Sequence, residues 1–371
     1  MKNSVSKLSV SLVLGLVTLT GVGIAPTAQA ASSETAGQDS TTDSNVSHQI
    51  ASKNMDQVEK VWTDAAIKHA LAHPLDAEAD SSSVAGSSRE AQQPSSGALQ
   101  QGQRGVLSNP VAPVPDGPTA RSLNPTNPGK TFGRLLFFGP GGTYSCSASL
   151  VNSSSKNLLL TAAHCLKPGK NGDWYTDFVY YSEWKKGQAP IGHIWPGYTA
   201  HVKDSWLDVD VKEDSATHTA SIPQQAIRYD YGFVVIAAPG LNLRPVNTLG
   251  GNGMSYNEPY DFNATILGYP ATASDEAANN PFVCKTKTNA YVLAPLYNTV
   301  EAPNCDGQSA DGMSGGPWLT DPDSGMKGWA HSVTSGSGNG SKKNSLLGPY
   351  FDDNTKELFN YANDKGKDPV K

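Results

Sequence analysis

The sequence predicts an all-β domain closed by a single C-terminal helix. Two observations carry that expectation. From about Thr131 onward, short apolar runs rich in β-branched and aromatic residues follow one another, with Gly, Pro and Asn clusters between them. Only at the end does the period change to that of a helix.

The runs are 132–138, 145–151, 158–161, 178–181, 233–237, 264–268, 282–285, 290–294, 317–319 and 329–333. Many short strands with turn signals between them indicate a sandwich or a barrel. The terminal helix has Asp352 or Asp353 as its cap, with Leu358, Phe359, Tyr361 and Ala362 on the inward face. No internal repeat occurs at solenoid periods.

The chain has 371 residues, and not all of them read as folded. Lys2 and Lys7 precede an apolar stretch at 8–24, and Ala28-Gln29-Ala30 matches a small-residue cleavage site. Residues 1–30 therefore read as a secretory signal peptide. A membrane anchor is the competing possibility, but Ser9, Ser11, Thr18 and Thr20 interrupt the stretch and no basic flank follows it. Residues 31–53 are rich in Ser, Thr, Gln and Ala and are expected to be disordered. Val58, Val61, Trp62, Ala65 and Ala66 recur on one face and predict a helix over 54–73, ended by Pro74. Residues 75–129 return to Ser, Gly, Gln and Pro, a linker composition. The organisation expected is a signal at 1–30, a propeptide and linker over 31–120, and a folded domain over 121–371.

A formal net charge of −6 leaves no electrostatic footprint for nucleic acid or an anionic membrane. The pairs Lys185-Lys186 and Lys342-Lys343 are isolated and read as solvated loops. Asp204, Asp208, Asp210, Glu213 and Asp214 form an acidic stretch that could attract calcium, but its spacing matches no EF-hand loop and a solvated face is favoured. Cys146, Cys165, Cys284 and Cys305 are an even set in an exported chain, which points to disulfides. Sequence proximity favours Cys146–Cys165 and Cys284–Cys305. No CxxC pair supports zinc. No metal and no cofactor are expected.

Three polar residues stand at strand–loop junctions. His164 follows the apolar run 158–161, Asp230 precedes the run 233–237, and Ser314 lies in Gly312-Met313-Ser314-Gly315-Gly316-Pro317. Singly, each is explained by a buried histidine, a turn aspartate and a turn serine. Together they supply a nucleophile, a base and the carboxylate that orients the base. Gly312 lacks a Cβ, so its N–H can join that of Ser314 in facing a developing oxyanion.

Thr161-Ala162-Ala163-His164-Cys165 and the Ser314 segment resemble the two signature motifs of the trypsin/chymotrypsin superfamily. The likeness covers roughly 131–362 and is closest to its secreted bacterial branch, which includes glutamyl endopeptidases and actinobacterial peptidases. It implies two six-stranded antiparallel β-barrels with the active site between them. It also implies an extracellular, monomeric serine endopeptidase that cleaves polypeptides through an acyl-enzyme and is made as a zymogen. The position at the base of the S1 pocket falls at Gln308, so a trypsin-like aspartate is absent there. His331 and Ser332 fall at the pocket rim, where a histidine could receive an acidic P1 side chain. One departure stands out. Met313 replaces the aspartate that in animal trypsins pairs with a new N-terminus, and no Ile-Val-Gly-Gly start is present.

Two other classes compete. Gly312-Met313-Ser314-Gly315-Gly316 also fits the α/β-hydrolase elbow, but Pro317-Trp318 follows it where that fold needs a helix. A catalytically idle protease homologue serving as a binding module would keep the cleft, but such proteins usually lose at least one of the three residues kept here.

Overall fold

The computed structural model describes residues 43–51, 55–80, 102–114, 131–182, 195–214, 219–237, 244–270, 281–291, 298–305, 312–338 and 344–367. All belong to one compact unit, Asp43–Lys371. The signal segment expected at 1–30 lies outside them. None of the described helices is long and apolar enough to cross a membrane.

The stretch assigned to the leader supplies β1 (Asn45–Gln49), α1 (Met55–Val61), α2 (Asp64–Ala72), β2 (Asp76–Asp80) and β3 (Gly105–Ser108). A strand at Asn45–Gln49 differs from the disorder expected over 31–53. The helical periodicity at 54–73 is divided in two at Trp62 and Thr63. Thr63 caps the second helix, its hydroxyl accepting from Ala66 N at 3.2 Å. The Trp62 indole donates to Asp177 O at 2.7 Å. Val58, Trp62 and Ala70 are buried in one cluster with Phe132, Leu136 and Val179. Helices this short are marginal alone, so burial against the strands holds them.

The next elements are β4 (Phe132–Gly139), β5 (Gly142–Val151), β6 (Leu158–Thr161), β7 (Thr176–Ser182), β8 (Trp195–Lys203), α3 (Asp204–Leu207), β9 (Lys212–Asp214), β10 (Thr219–Pro223) and β11 (Gly232–Ile236). Strands β8-β11-β6-β5-β4-β7 lie side by side, and β7 pairs back to β8. Six antiparallel strands thus close into a barrel, with β1 added along β8. Leu135, Phe137, Ala148, Leu150, Leu159 and Val234 fill a core that closure leaves no edge to breach. The register pairs Gly232 with Thr161. Because β6 and β11 are antiparallel, the residues after Thr161 and those before Gly232 leave the barrel at the same end.

The remainder is α4 (Pro245–Leu249), β12 (Gly253–Tyr256), β13 (Asn263–Gly268), β14 (Phe282–Lys287), β15 (Asn289–Ala290), β16 (Thr299–Ala302), β17 (Pro317–Thr320), β18 (Trp329–Val333), β19 (Gly336–Ser337), β20 (Leu346–Pro349) and α5 (Asp353–Lys367). One sheet runs β14-β13-β17-β18-β12-β3, and another runs β15-β16-β20-β19-β2-β10-β9. Ile266, Val300, Trp318 and Leu346 pack between their faces in a separate cluster. The Arg134 guanidinium reaches from β4 to Tyr269 O at 3.3 Å and Pro270 O at 3.1 Å, tying the barrel to the segment after β13. Asp352 caps α5, accepting from Asn354 N at 2.9 Å. That helix buries Leu358, Phe359 and Ala362, with Phe359 edge-on to Phe233 of the barrel.

Pairings between the described strands are antiparallel with three exceptions: β12 with β18, β2 with β10, and β2 with β19. Two of the three involve the leader strand β2.

Candidate active site

His164 and Asp230 meet where the barrel register brings them. His164 follows β6, and Asp230 ends the 3₁₀ turn Gln224–Tyr229 just before β11. One carboxylate oxygen accepts the backbone N–H of His164 at 2.8 Å, and the other contacts its ring Nδ1 at 2.7 Å. Gripping backbone and ring together fixes the imidazole plane, with Nε2 on the far side of the ring, 3.7 Å from Cys165 Sγ. Both residues are fully buried. The acidic residues nearer β9 do not reach His164. Asp210 accepts from Asn171 Nδ2, and Glu213 accepts from the Tyr175 hydroxyl.

Cys146 of β5 is bonded to Cys165, and Cys284 to Cys305. The first bridge pins the residue beside His164 to the barrel wall. Cys146, His164 and Cys165 are also the only potential metal-ligating group gathered among the described residues, but the disulfide consumes both sulfurs.

Ser314 sits in the turn before β17. Gly312 and Gly315 both have φ of 81°, which favours glycine. A Cβ on Gly315 would lie 2.1 Å from Thr161 Oγ1 and 2.4 Å from Ser147 O. The serine turn therefore lies directly against the β5 and β6 strands that carry the histidine loop. Ser147 of β5 clamps it: its N–H donates to Ser314 O at 2.8 Å and its hydroxyl donates to Gly312 O at 2.9 Å. The same hydroxyl accepts from Tyr269 N at 2.9 Å. Met313 is buried in the cluster with Trp318 and Ile266, an apolar anchor where an ion pair would need water or a partner.

Of the specificity candidates, Gln308 lies outside the described residues. His331 lies on β18 and is buried. Its Nε2 lies 3.0 Å from Ser255 Oγ and 2.8 Å from Thr320 Oγ1, and its ring packs on Phe262. Burial, with a smaller contribution from Arg104, lowers its pKa to about 4, so it is neutral near pH 7 and does not offer a cation to an acidic side chain. Ser332 donates to Pro349 O at 2.8 Å. The residue that reaches the His–Asp pair is Ser335, whose hydroxyl donates to Asp230 Oδ2 at 2.5 Å. The Ser335-Gly336-Ser337-Gly338 run that follows β18 is the signal that could have found it.

Comparison with solved structures gives the architecture its place. Protease Anisep from Arthrobacter nicotinovorans superposes with a TM-score of 0.53 at 24% identity, covering 64% of this chain and 97% of that one. The fold is chymotrypsin-like. A thermostable serine protease, AL20, from an extremophilic microorganism gives a TM-score of 0.49 at 23% identity, covering 63% of this chain and 97% of that one. A Glu endopeptidase gives 0.47 at 14% identity, covering 70% and 99%. No protein-family model and no curated protein matches the sequence. Within this fold, His164 and Asp230 stand on the closed barrel, and Ser314 lies in the turn before β17, whose backbone carbonyl accepts from Ser147 of β5.

Proposed function

We propose that the chain is a secreted serine endopeptidase. The observation that carries this is the two-point hold of Asp230 on His164, with the Ser314 turn clamped against the strands that bear the histidine. A serine hydroxyl is a weak nucleophile unless a fixed base takes its proton.

In this proposal Ser314 Oγ attacks the scissile carbonyl carbon while His164 Nε2 takes the hydroxyl proton. Asp230 holds Nδ1–H and offsets the charge of the imidazolium. The N–H groups of Gly312 and Ser314 face the oxyanion. When the C–N bond breaks, His164 returns its proton to the leaving amine and an acyl-enzyme remains. Water then enters, gives a proton to His164 and attacks the acyl carbon; as the bond to Ser314 Oγ breaks, His164 returns that proton to Oγ and the new carboxyl group leaves. Ser335 donates to Asp230 Oδ2, the oxygen that holds Nδ1–H, and the Cys146–Cys165 bridge holds the histidine loop during the proton transfers.

Export through the segment at 1–30 suits a chain stabilised by two disulfides. Residues 31–120 belong to the precursor, and cleavage within them yields the mature peptidase. Polypeptides are the substrates, and Gln308 is the proposed S1 residue. The test is labelling by a fluorophosphonate probe, which requires an activated serine. Wild-type protein should label at Ser314, and Ser314→Ala should neither label nor hydrolyse a peptide while keeping its fold. An unlabelled wild type, freed of its leader and folded, would leave the binding-module alternative standing.

A further inference from the structure

His164 is 0% exposed and Ser314 is 1% exposed, although a polypeptide must reach both. Residues 73–80 pack on strands neighbouring both. Leu75 N donates to Ser145 O at 2.9 Å, and Ser145 N donates to His73 O. Ser145 adjoins Cys146, whose disulfide partner adjoins His164. From there β2 runs on between two edges. Asp76 to Asp80 pair with Thr219 to Pro223 of β10, and Glu78 pairs on its other side with Ser337 of β19. Ser337 is two residues beyond Ser335, the partner of Asp230. A Cβ on Gly336 would lie 2.2 Å from Ala77 O, so the leader backbone presses on β19 with no room between.

The burial pattern of β2 is that of a strand seated by its small side chains. Leu75, Ala77 and Ala79 are buried in the cluster that holds Cys146, Ala163 and Cys165, while Glu78 is exposed. Alanines let a strand sit deep between two edges. β2 thus joins a barrel-side strand to a second-half strand that do not otherwise pair in the sheet order.

We propose that residues 73–80 are a built-in inhibitor of this enzyme. They occupy the cleft as a central strand, seated by Ala77 and Ala79, and take the backbone edges of β10 and β19 that a polypeptide would use. The proposal rests on the serine-peptidase function above. Activation then requires this strand to leave, and cutting the chain elsewhere is not sufficient while the strand stays seated.

The test uses the full-length protein with Ala77→Arg and Ala79→Arg together, and a milder variant, Ala77→Pro, should the pair fail to fold. Hydrogen exchange reads whether the strand has left, independently of chemistry. Fluorophosphonate labelling of Ser314 reads access. Loss of protection at 76–80, β10 and β19, with labelling at least about tenfold faster than in the wild type, is the expected result, since reactivity follows the open fraction. Strand release with unchanged labelling overturns the inhibitory role. Retained protection in every folded variant overturns the seating by Ala77 and Ala79. A released strand with no labelling at all overturns the nucleophile assignment itself, and the inhibitor with it.

Discussion

Ser335 Oγ lies 2.5 Å from Asp230 Oδ2, the same oxygen that holds His164 Nδ1 at 2.7 Å. Asp230 Oδ1 accepts the His164 backbone N–H, so both oxygens of the carboxylate are held in place. In the proposed mechanism Ser335 is a positioning residue that acts on His164 through Asp230. Ser335→Ala should lower kcat/KM by about tenfold to a hundredfold, the worth of one hydrogen bond to a charged group, with KM moving little. Ser335→Thr, which keeps a hydroxyl, should recover part of the loss. A fall confined to KM would place Ser335 in substrate binding.

Ser147→Ala removes the hydroxyl that donates to Gly312 O and accepts from Tyr269 N. Both partners lie in a buried seam, so the loss should cost about 1–3 kcal/mol of stability. Activity should fall as the Ser314 turn loosens. Denaturant unfolding and peptide hydrolysis on the same sample check the two effects. Stability unchanged within error would contradict the clamp.

Replacing Cys146 and Cys165 together by Ser opens a loop with a sequence separation of 19. The chain-entropy cost is about 3 kcal/mol. Because the bridge also fixes the backbone beside His164, kcat should fall under conditions where the variant is still folded. Replacing Cys284 and Cys305 should lower stability with a smaller effect on kcat. Equal effects of the two replacements on kcat would remove the special role of the first bridge.

His201 and His331 are buried, and burial lowers their pKa values from 6.5 to about 3 and about 4. The unfolded chain takes up these protons near pH 6.5 and the folded chain does not until much lower. Their contribution to stability is thus whole above about pH 6.5 and declines as the pH falls toward 4 and 3. For His331 the loss amounts to about 3 kcal/mol at the acid limit. Unfolding measured from pH 7.5 to pH 4 should be less pH-dependent in His331→Gln than in the wild type, and P1 preference should be unchanged. A shifted P1 profile would return His331 to the substrate pocket.

The parts legible in the sequence were those where local pattern and tertiary role coincide. The run 158–161 matches β6 because it is apolar on both faces and bounded by turn residues, and the run 329–333 matches β18 through Trp329, Ala330 and Val333, with His331 and Ser332 as its polar members. The terminal helix and its Asp352 cap follow from a period and a side-chain oxygen in the right place. β8 was hidden because Trp195-Pro196-Gly197 opens it with two strand-breaking residues and His201 and Lys203 close it with polar ones that only tertiary partners make bearable. β2 was hidden for a different reason. Asp76-Ala77-Glu78-Ala79-Asp80 alternates with the period of a strand, but alanine and acidic residues have low β propensity. Its stability comes from two edges supplied by residues far along the chain. Ser335 was not singled out because a serine after a strand is commonplace by composition, and only its hydroxyl contact to Asp230 marks it.

The Lys203 ammonium is buried at the end of β8, where it donates to Asp43 O and to Asn45 Oδ1 and lies 3.3 Å from Glu357 of α5. Asp43 and Asn45 belong to the segment that pairs along β8 from Thr199 to Lys203. A molecule stripped of that segment bares a run of unpaired backbone N–H and C=O groups on its barrel. Such an open edge invites strand addition by a second chain, and a charged lysine on the edge is a common guard against it. The residue that moors residues 43–49 would thus, on removal of that segment, become a gatekeeper against edge-to-edge aggregation.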